Sequence, residues 1–588
     1  MVVYLGGKLD VRMSPDGQGG RARHLSRCRE RGPRKSVRPL ASSVSDGYSI
    51  GDHGVPISSH AECDMRKQDF VVRATTRTAG RFSAHVFFAL FSVAAAAVGH
   101  TVCGDDQPQW GERYSRNMIS GETGLPDHFN PETGEGIKWS VSLGNRAYGT
   151  PIVAHGRVLV GVNNSGAGDP RHQGDRGALL CLDESDGRLH WRLVVPKLKG
   201  DNDYLDQPNY GICSPATVEG DRVYVVTNRA EVVCLDLHGQ VNGNGGPYQD
   251  EGRHMALAGQ PPLEVTGTDA DILWLFDMPS EVGMNPHDAA HTSILIHGRY
   301  LYLNTGNGVD SSHVNVPAPD APSLIVLDKE TGRLVARDKE DIGPRIFHST
   351  WSSPALGVVD GRPLVFFCGG DGVVYAFEAL PQDLAEGPVQ ALERVWRYDC
   401  DPTAPKEDVH LYHVKNGRRD ESPSNILGMP VFTNNRVYVT GGGDFWWGKR
   451  QAWAQCIDAT KTGDVTSSGQ VWFRQLSEHS FSTPAIVDDL VYVADCGRTI
   501  YCLDANDGQV CWTHPMKAHA WASPLVADGK VYVGSMRGDF HIFATGREKK
   551  HLATIDFEDP VGATPTAANG VLYVATLTRL YAIQKPAR

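Results

Sequence analysis

From Phe481 to Trp512 the chain reads FSTPAIVDDLVYVADCGRTIYCLDANDGQVCW, and its apolar positions fall into four short runs separated by turn residues. Leu490 to Ala494 alternates, with Val491 and Val493 on one face and Tyr492 on the other, which is the two-residue period of a strand. Asp488-Asp489 turns the run opened by Ser482-Thr483-Pro484 back on itself. Gly497 marks a second turn before Thr499 to Leu503, and Asp504 to Gly508 (DANDG) makes a third before Gln509 to Trp512. This pattern predicts a meander of four antiparallel strands.

The same pattern opens again at Pro151, Pro215, Ser293, Pro354, Pro430, Pro484, Pro524 and Pro565. Its second strand recurs as GRVLV from Gly156, DRVYV from Asp221, GRYLYL from Gly298, NRVYV from Asn435, GKVYV from Gly529 and GVLYV from Gly570. Four strands per repeat at a period of about 40 residues specify an all-β chain, a β-propeller whose blades are four-stranded and antiparallel. The eighth repeat stops after Leu580-Tyr581-Ala582-Ile583 without a fourth strand, while GIKWSVSL, Gly136 to Leu143, has no blade before it. Together they predict an eight-bladed ring at 136–588 closed by its N-terminal strand, with 100–135 as a lead-in.

The turns LDESDGRLHW from Leu182, LDKETG from Leu327 and LDANDGQVCW from Leu503 resemble the PQQ-type propeller repeat. Quinoprotein alcohol dehydrogenases share that repeat with the propeller subunit of the outer-membrane β-barrel assembly machinery. The resemblance covers roughly residues 110 to 588 and implies a fold more than an activity.

Ahead of the repeats, residues 1–64 are rich in Arg, Ser and Gly without apolar periodicity, which suits a disordered extension or a start upstream of the true one at Met65. Arg66, Lys67, Arg73, Arg77 and Arg81 then precede an apolar run from Ala84 to Val98, the layout of a secretion signal over 65–99. Cleavage after Gly99 is expected; an uncleaved N-terminal anchor and lipidation at Cys103 are the alternatives. The mature chain is expected in the periplasm or cell envelope, with no membrane span. Residues 101–588 carry 42 Lys+Arg against 61 Asp+Glu, a balance that disfavours nucleic acid as a partner. Among the 12 cysteines, Cys181, Cys234, Cys456 and Cys502 share one repeat position and read as core residues. Cys496 and Cys511 could bridge within one blade, and no CxxC occurs.

In such a blade the fourth-to-first connections and second-to-third loops share one face. Asn163, Arg171, His172, Arg229, His348, Trp351, Trp446, Trp447, His519 and Trp521 collect there. The densest set is in blade three, where His287, Asp288, His291, Asn307, Asp310 and His313 come from two converging loops and could hold an ion or a polar ligand. The metal set is drawn as His287, Asp288, Asn307 and Asp310, and a second calcium-type loop as Asn242, Asn244, Asp250 and Glu251. Thr305-Gly306-Asn307 resembles the TGN of quinoprotein alcohol dehydrogenases, whose Asn coordinates the calcium beside PQQ. That resemblance implies Asn307, His348 and Trp351 as cofactor contacts, with PQQ and calcium as the cofactors. It breaks at His348-Ser349-Thr350-Trp351-Ser352, where two serines stand for the acids of an HDxWD-like stretch, and a hydroxyl cannot serve as base without another base beside it. Adjacent cysteines are also lacking. Two classes remain: an exported binding or scaffold propeller without dehydrogenase activity, engaging a protein or small molecule on the loop face, and a PQQ- and calcium-dependent alcohol-type dehydrogenase. The vacant acid and base positions favour the first.

Overall fold

The computed structural model describes residues 105–164, 169–198, 205–288 and 292–585. The expectations for 1–64, for the signal at 65–99, and for Cys103 and His291 lie outside those residues. Among the described residues no helix is long and apolar enough to cross a membrane.

Eight antiparallel sheets follow one another round a ring. Blade one runs from the channel outward as Ile152–Ala154, Arg157–Asn163, Arg176–Asp183 and Leu189–Pro196. Blade eight is Thr566–Ala568, Val571–Ala575 and Arg579–Ile583, and Ile137–Ser142 completes it as the outer strand, with Trp139 opposite Ala582 and Val141 opposite Leu580. The ring therefore closes as the unpaired termini of the repeat pattern require. Blades three and four each gain a short fifth strand running parallel, Gln390–Ala391 and Gly463–Asp464, which are too brief to show periodicity. Alternate faces of each sheet meet the neighbouring blades, so the apolar cores lie between blades; one such core joins Val153, Val158 and Leu180 of blade one to Tyr573, Leu580 and Ala582 of blade eight.

Adjacent blades are locked by tryptophan. Trp139, Trp191, Trp274, Trp396, Trp472 and Trp512 stand opposite Ala582, Cys181, Cys234, Ala376, Cys456 and Cys502, with a register shift directly after each pair. Each indole N–H donates into the next blade, to Glu184 O, Leu237 O, Lys329 O, Ala459 O, Ala505 O and Gly546 O at 2.8–3.1 Å. Burying an indole contributes roughly 4–6 kcal/mol of gross transfer energy and its hydrogen bond about 1 kcal/mol, so packing dominates and the bond sets orientation. The four repeat cysteines are buried beside these rings as thiols, and Cys496 and Cys511 are thiols too, so that bridge is not made.

The lead-in does more than deliver the closing strand. The innermost strands are sheet edges with unpaired backbone groups facing the channel. Residues 107–120 cross that mouth on the side of the strand one–two turns and bond to every blade. Gln107, Pro108, Tyr114, Ser115 and Met118 carbonyls accept from Val153, Val218, Leu356, Phe432 and Val526 N–H groups. Asn117 exchanges two bonds with Ile486, Ser120 reaches Ala567 O, and Arg116 bonds Ser293 and Pro354. The lead-in thereby covers one mouth, and the second-to-third loops lie on the opposite face.

Candidate metal centre and loop-face mouth

Three loops of that face meet beside the channel. Isolated bridges pair Pro286 with Asn307 and Gly308 with Ser349, tying the entry to blade three, its second-to-third loop and the entry to blade four. Gly308 allows the approach, because a Cβ there would lie 2.8 Å from the His287 Cβ. His287 and His348 consequently face each other with 3.0 Å between their Nε2 atoms, and the His313 ring sits 4.9 Å and 5.4 Å from theirs. All three side chains are buried, and their ligating nitrogens lie within 4.8 Å of one another.

The other ring nitrogens fix the tautomers. A carbonyl can only accept, so His287 Nδ1–H donates to Val309 O at 2.8 Å and His313 Nδ1–H to Ser311 O at 3.1 Å. His348 Nδ1 faces Asp444 Oδ2 at 2.8 Å. Burial pushes Asp444 up, but the His348 imidazole and the Trp447 N–H outweigh it and hold the carboxyl well below its usual range. An ionised Asp444 accepts, so His348 also donates through Nδ1. The remaining Asp444 contacts are with Asn425 Nδ2 and the backbone N–H groups of Trp446 and Trp447. Burial lowers His287 to about 3 and His313 to about 4, so both are neutral imidazoles near pH 7, the form that binds metals.

The other expected residues are placed as follows. Asp288 brings Oδ2 to 3.7 Å from His287 Nε2. The Asn307 amide is spent on the backbone, its oxygen on Asn285 N and its nitrogen on Ala318 O. Asp310 organises its own loop through Ser312 and Asn315. Trp351 donates to His287 O and lies edge-on to His348. Trp446 also meets His348 edge-on, and Trp447 lies between His313 and His413. Asn163 bonds Asp175, Arg171 forks onto Asp169 and Asp269 beside His172, and Arg229 pairs with Glu231, none of them at this cluster. The blade-two loop does not converge on a point: Asn242 turns to Asp236, Asn244 donates to Glu251, and Asp250 precedes the short helix Glu251–Met255. Sequence reasoning missed Asp444 and the insert at 400–423 that leads into blade five. The only signal for Asp444 was its place ahead of Phe445, Trp446 and Trp447 in a loop of the same face. The insert stacks His410 on Phe347 and sets His413 tilted beside the same ring.

Deeper in the channel, Trp110, Tyr148, Tyr210, Trp351, Phe481 and Trp521 help line a cavity of about 120 Å³. Pockets for sizeable ligands usually span about 300–1,000 Å³. The residues do not fit PQQ: the Asn307 amide is committed to the backbone, the carboxylate positions are Ser349 and Ser352, and the adjacent aromatic cavity is small.

Repeat turns, tryptophan locks and an eight-bladed ring define a propeller of the PQQ-repeat class. The chain belongs to the family described as outer membrane protein assembly factor BamB, whose sequence profile matches residues 129–396 and 450–560. Among solved structures it is similar to BamB from Moraxella catarrhalis, at 12% identity over 76% of this chain and 97% of that one, with a TM-score of 0.44. It is also similar to the computationally designed Ika8 protein, at 11% identity over 76% of this chain and 100% of that one, with a TM-score of 0.45. No curated protein matches the sequence.

Proposed function

We propose that this protein is an exported, non-catalytic binding propeller of the periplasm or cell envelope, and that it holds a protein partner at its open loop-face mouth. The observation that carries the reading is the aromatic rim of that mouth. Trp446, Phe445 and Phe481 contact one another at the rim, and Phe481 meets the buried Trp521, beneath which Tyr148 and Tyr210 help line the cavity. Rigid aromatic rings offer large contact area at small entropy cost, which is why they anchor protein interfaces. The family's description as an assembly factor for outer membrane proteins supports a protein as the partner, and the signal-like stretch at 65–99 supports export. The dehydrogenase alternative finds no support in Asn307, Ser349 or Ser352.

Site-specific photocrosslinking tests the reading. With a benzophenone side chain at Trp446, envelope extract should yield a discrete protein adduct that is absent when the group is placed at Lys461, and Trp521→Ala should weaken that adduct. Equal labelling at both positions, or dye-linked alcohol oxidation by the protein with PQQ and calcium, would overturn it.

A further inference from the structure

We propose that His287, His313 and His348 bind one divalent cation of the zinc class, with Asp288 beside them as an oxygen donor. The inference does not depend on the partner reading. With Nδ1–H of His287 committed to Val309 O and that of His348 to Asp444, both rings turn Nε2 toward each other at 3.0 Å. A cation seated between these two nitrogens would take both as ligands, with the His313 nitrogen within 4.8 Å as the third. The spacing suits one: zinc–imidazole bonds of about 2.0–2.1 Å in a tetrahedron put the nitrogens about 3.3–3.4 Å apart. The 3.7 Å from Asp288 Oδ2 to His287 Nε2 is close to the same edge length, and the widest nitrogen separation, within 4.8 Å, closes by a small ring movement.

The surroundings match as well. Metal-binding imidazoles commonly donate their second N–H to a carboxylate or backbone carbonyl, which fixes orientation and raises basicity. Asp444 serves His348 in this way, Val309 O serves His287 and Ser311 O serves His313. Nitrogen donors select zinc and its transition-metal neighbours over calcium, which prefers six to eight oxygens.

Two other groups of possible ligands lack these features. At Asp169, His172 and Asp269 the cation is already supplied by the Arg171 guanidinium. In the group His514, His541 and His551, both His541 nitrogens are engaged, by Asp539 and Thr554, and His551 is exposed.

The test uses the full chain stripped with a chelator, then dialysed against Zn2+ alone or Ca2+ alone and assayed for bound metal. One equivalent of Zn2+ and no Ca2+ are expected. Co2+ in its place should give the visible absorption of a tetrahedral site, a readout that needs no variant. Asp444→Asn should weaken Zn2+ binding about 10–100-fold. The double variant His313→Gln with His348→Gln should abolish it at an unchanged circular dichroism spectrum, and His551→Gln should leave it intact. Absence of Zn2+ binding by the folded parent, an octahedral Co2+ spectrum, or loss of binding in His551→Gln would overturn the assignment.

Discussion

Arg116 shows how far one side chain can organise this ring. It is fully buried, and burial lowers it to about 9. Its guanidinium donates to Pro354 O, Trp110 O, Ser293 O and Ser293 Oγ, joining the lead-in to blades three and four. Arg116→Met keeps the bulk but strands those buried carbonyls, so a loss of about 2–4 kcal/mol is expected in urea titration. A loss under about 1 kcal/mol would mean that the plug is peripheral to stability. Nothing in the sequence marked Arg116, because the lead-in lacks the repeat pattern and its bonds go to residues far along the chain. The histidines were legible to a greater degree. His287, His313 and His348 all fall in loops of one face, and the blade pattern alone puts them near one another. The pairing of His348 with Asp444 was not legible, since it depends on how a blade-five loop leans across the mouth. Asn307 was misleading in the opposite sense: its motif points to a ligand, while its amide closes two backbone bonds.

At the scale of the blade, the repeat turns were legible as turns, but their glycines have a second role that appears only between blades. Gly187, Gly332 and Gly508 each lie under the tryptophan of the preceding blade, and a Cβ at Gly508 would come within 2.7 Å of the Trp472 indole. Gly508 has φ +70°, in the left-handed region. Gly156 has nearly the same conformation, φ +72°, with nothing within 4 Å of its would-be Cβ. The pair separates backbone strain from crowding. Gly156→Ala should cost about 1–2 kcal/mol from conformation alone, and Gly508→Ala a further 1–3 kcal/mol from overpacking against Trp472. Equal losses in chemical denaturation would show that the indole yields freely and that the lock is loose. A repeat can be read from one blade's sequence, whereas a lock between blades cannot, because its two halves lie in successive repeats: Trp472 and Gly508 are 36 positions apart.

Across the whole molecule, the ring is closed at its edge by Ile137–Ser142 and covered at one mouth by the lead-in, so disruption is expected to begin at the open loop face. That face buries histidines in their neutral form. Burial lowers His287 to about 3 and His479 to about 4, whereas an unfolded histidine titrates near 6.5. Between about pH 4 and 6.5 the unfolded chain therefore binds more protons than the folded one, and stability must rise with pH across that window. Each such imidazole contributes up to about 1.4 kcal/mol per pH unit. Asp444 adds to the loss at lower pH, because its folded-state carboxyl is held below the usual range and the stability it contributes is present above the unfolded carboxyl pKa and lost as pH falls beneath it. Metal-free protein followed by thermal melting from pH 7 to pH 4 should show a steadily falling midpoint. His479→Leu should flatten the slope by about one proton while lying outside the His287–His313–His348 cluster. A midpoint unchanged between pH 6.5 and 4.5, or a slope identical in His479→Leu, would show that these imidazoles reach solvent in the folded ring and that the mouth opens before it titrates.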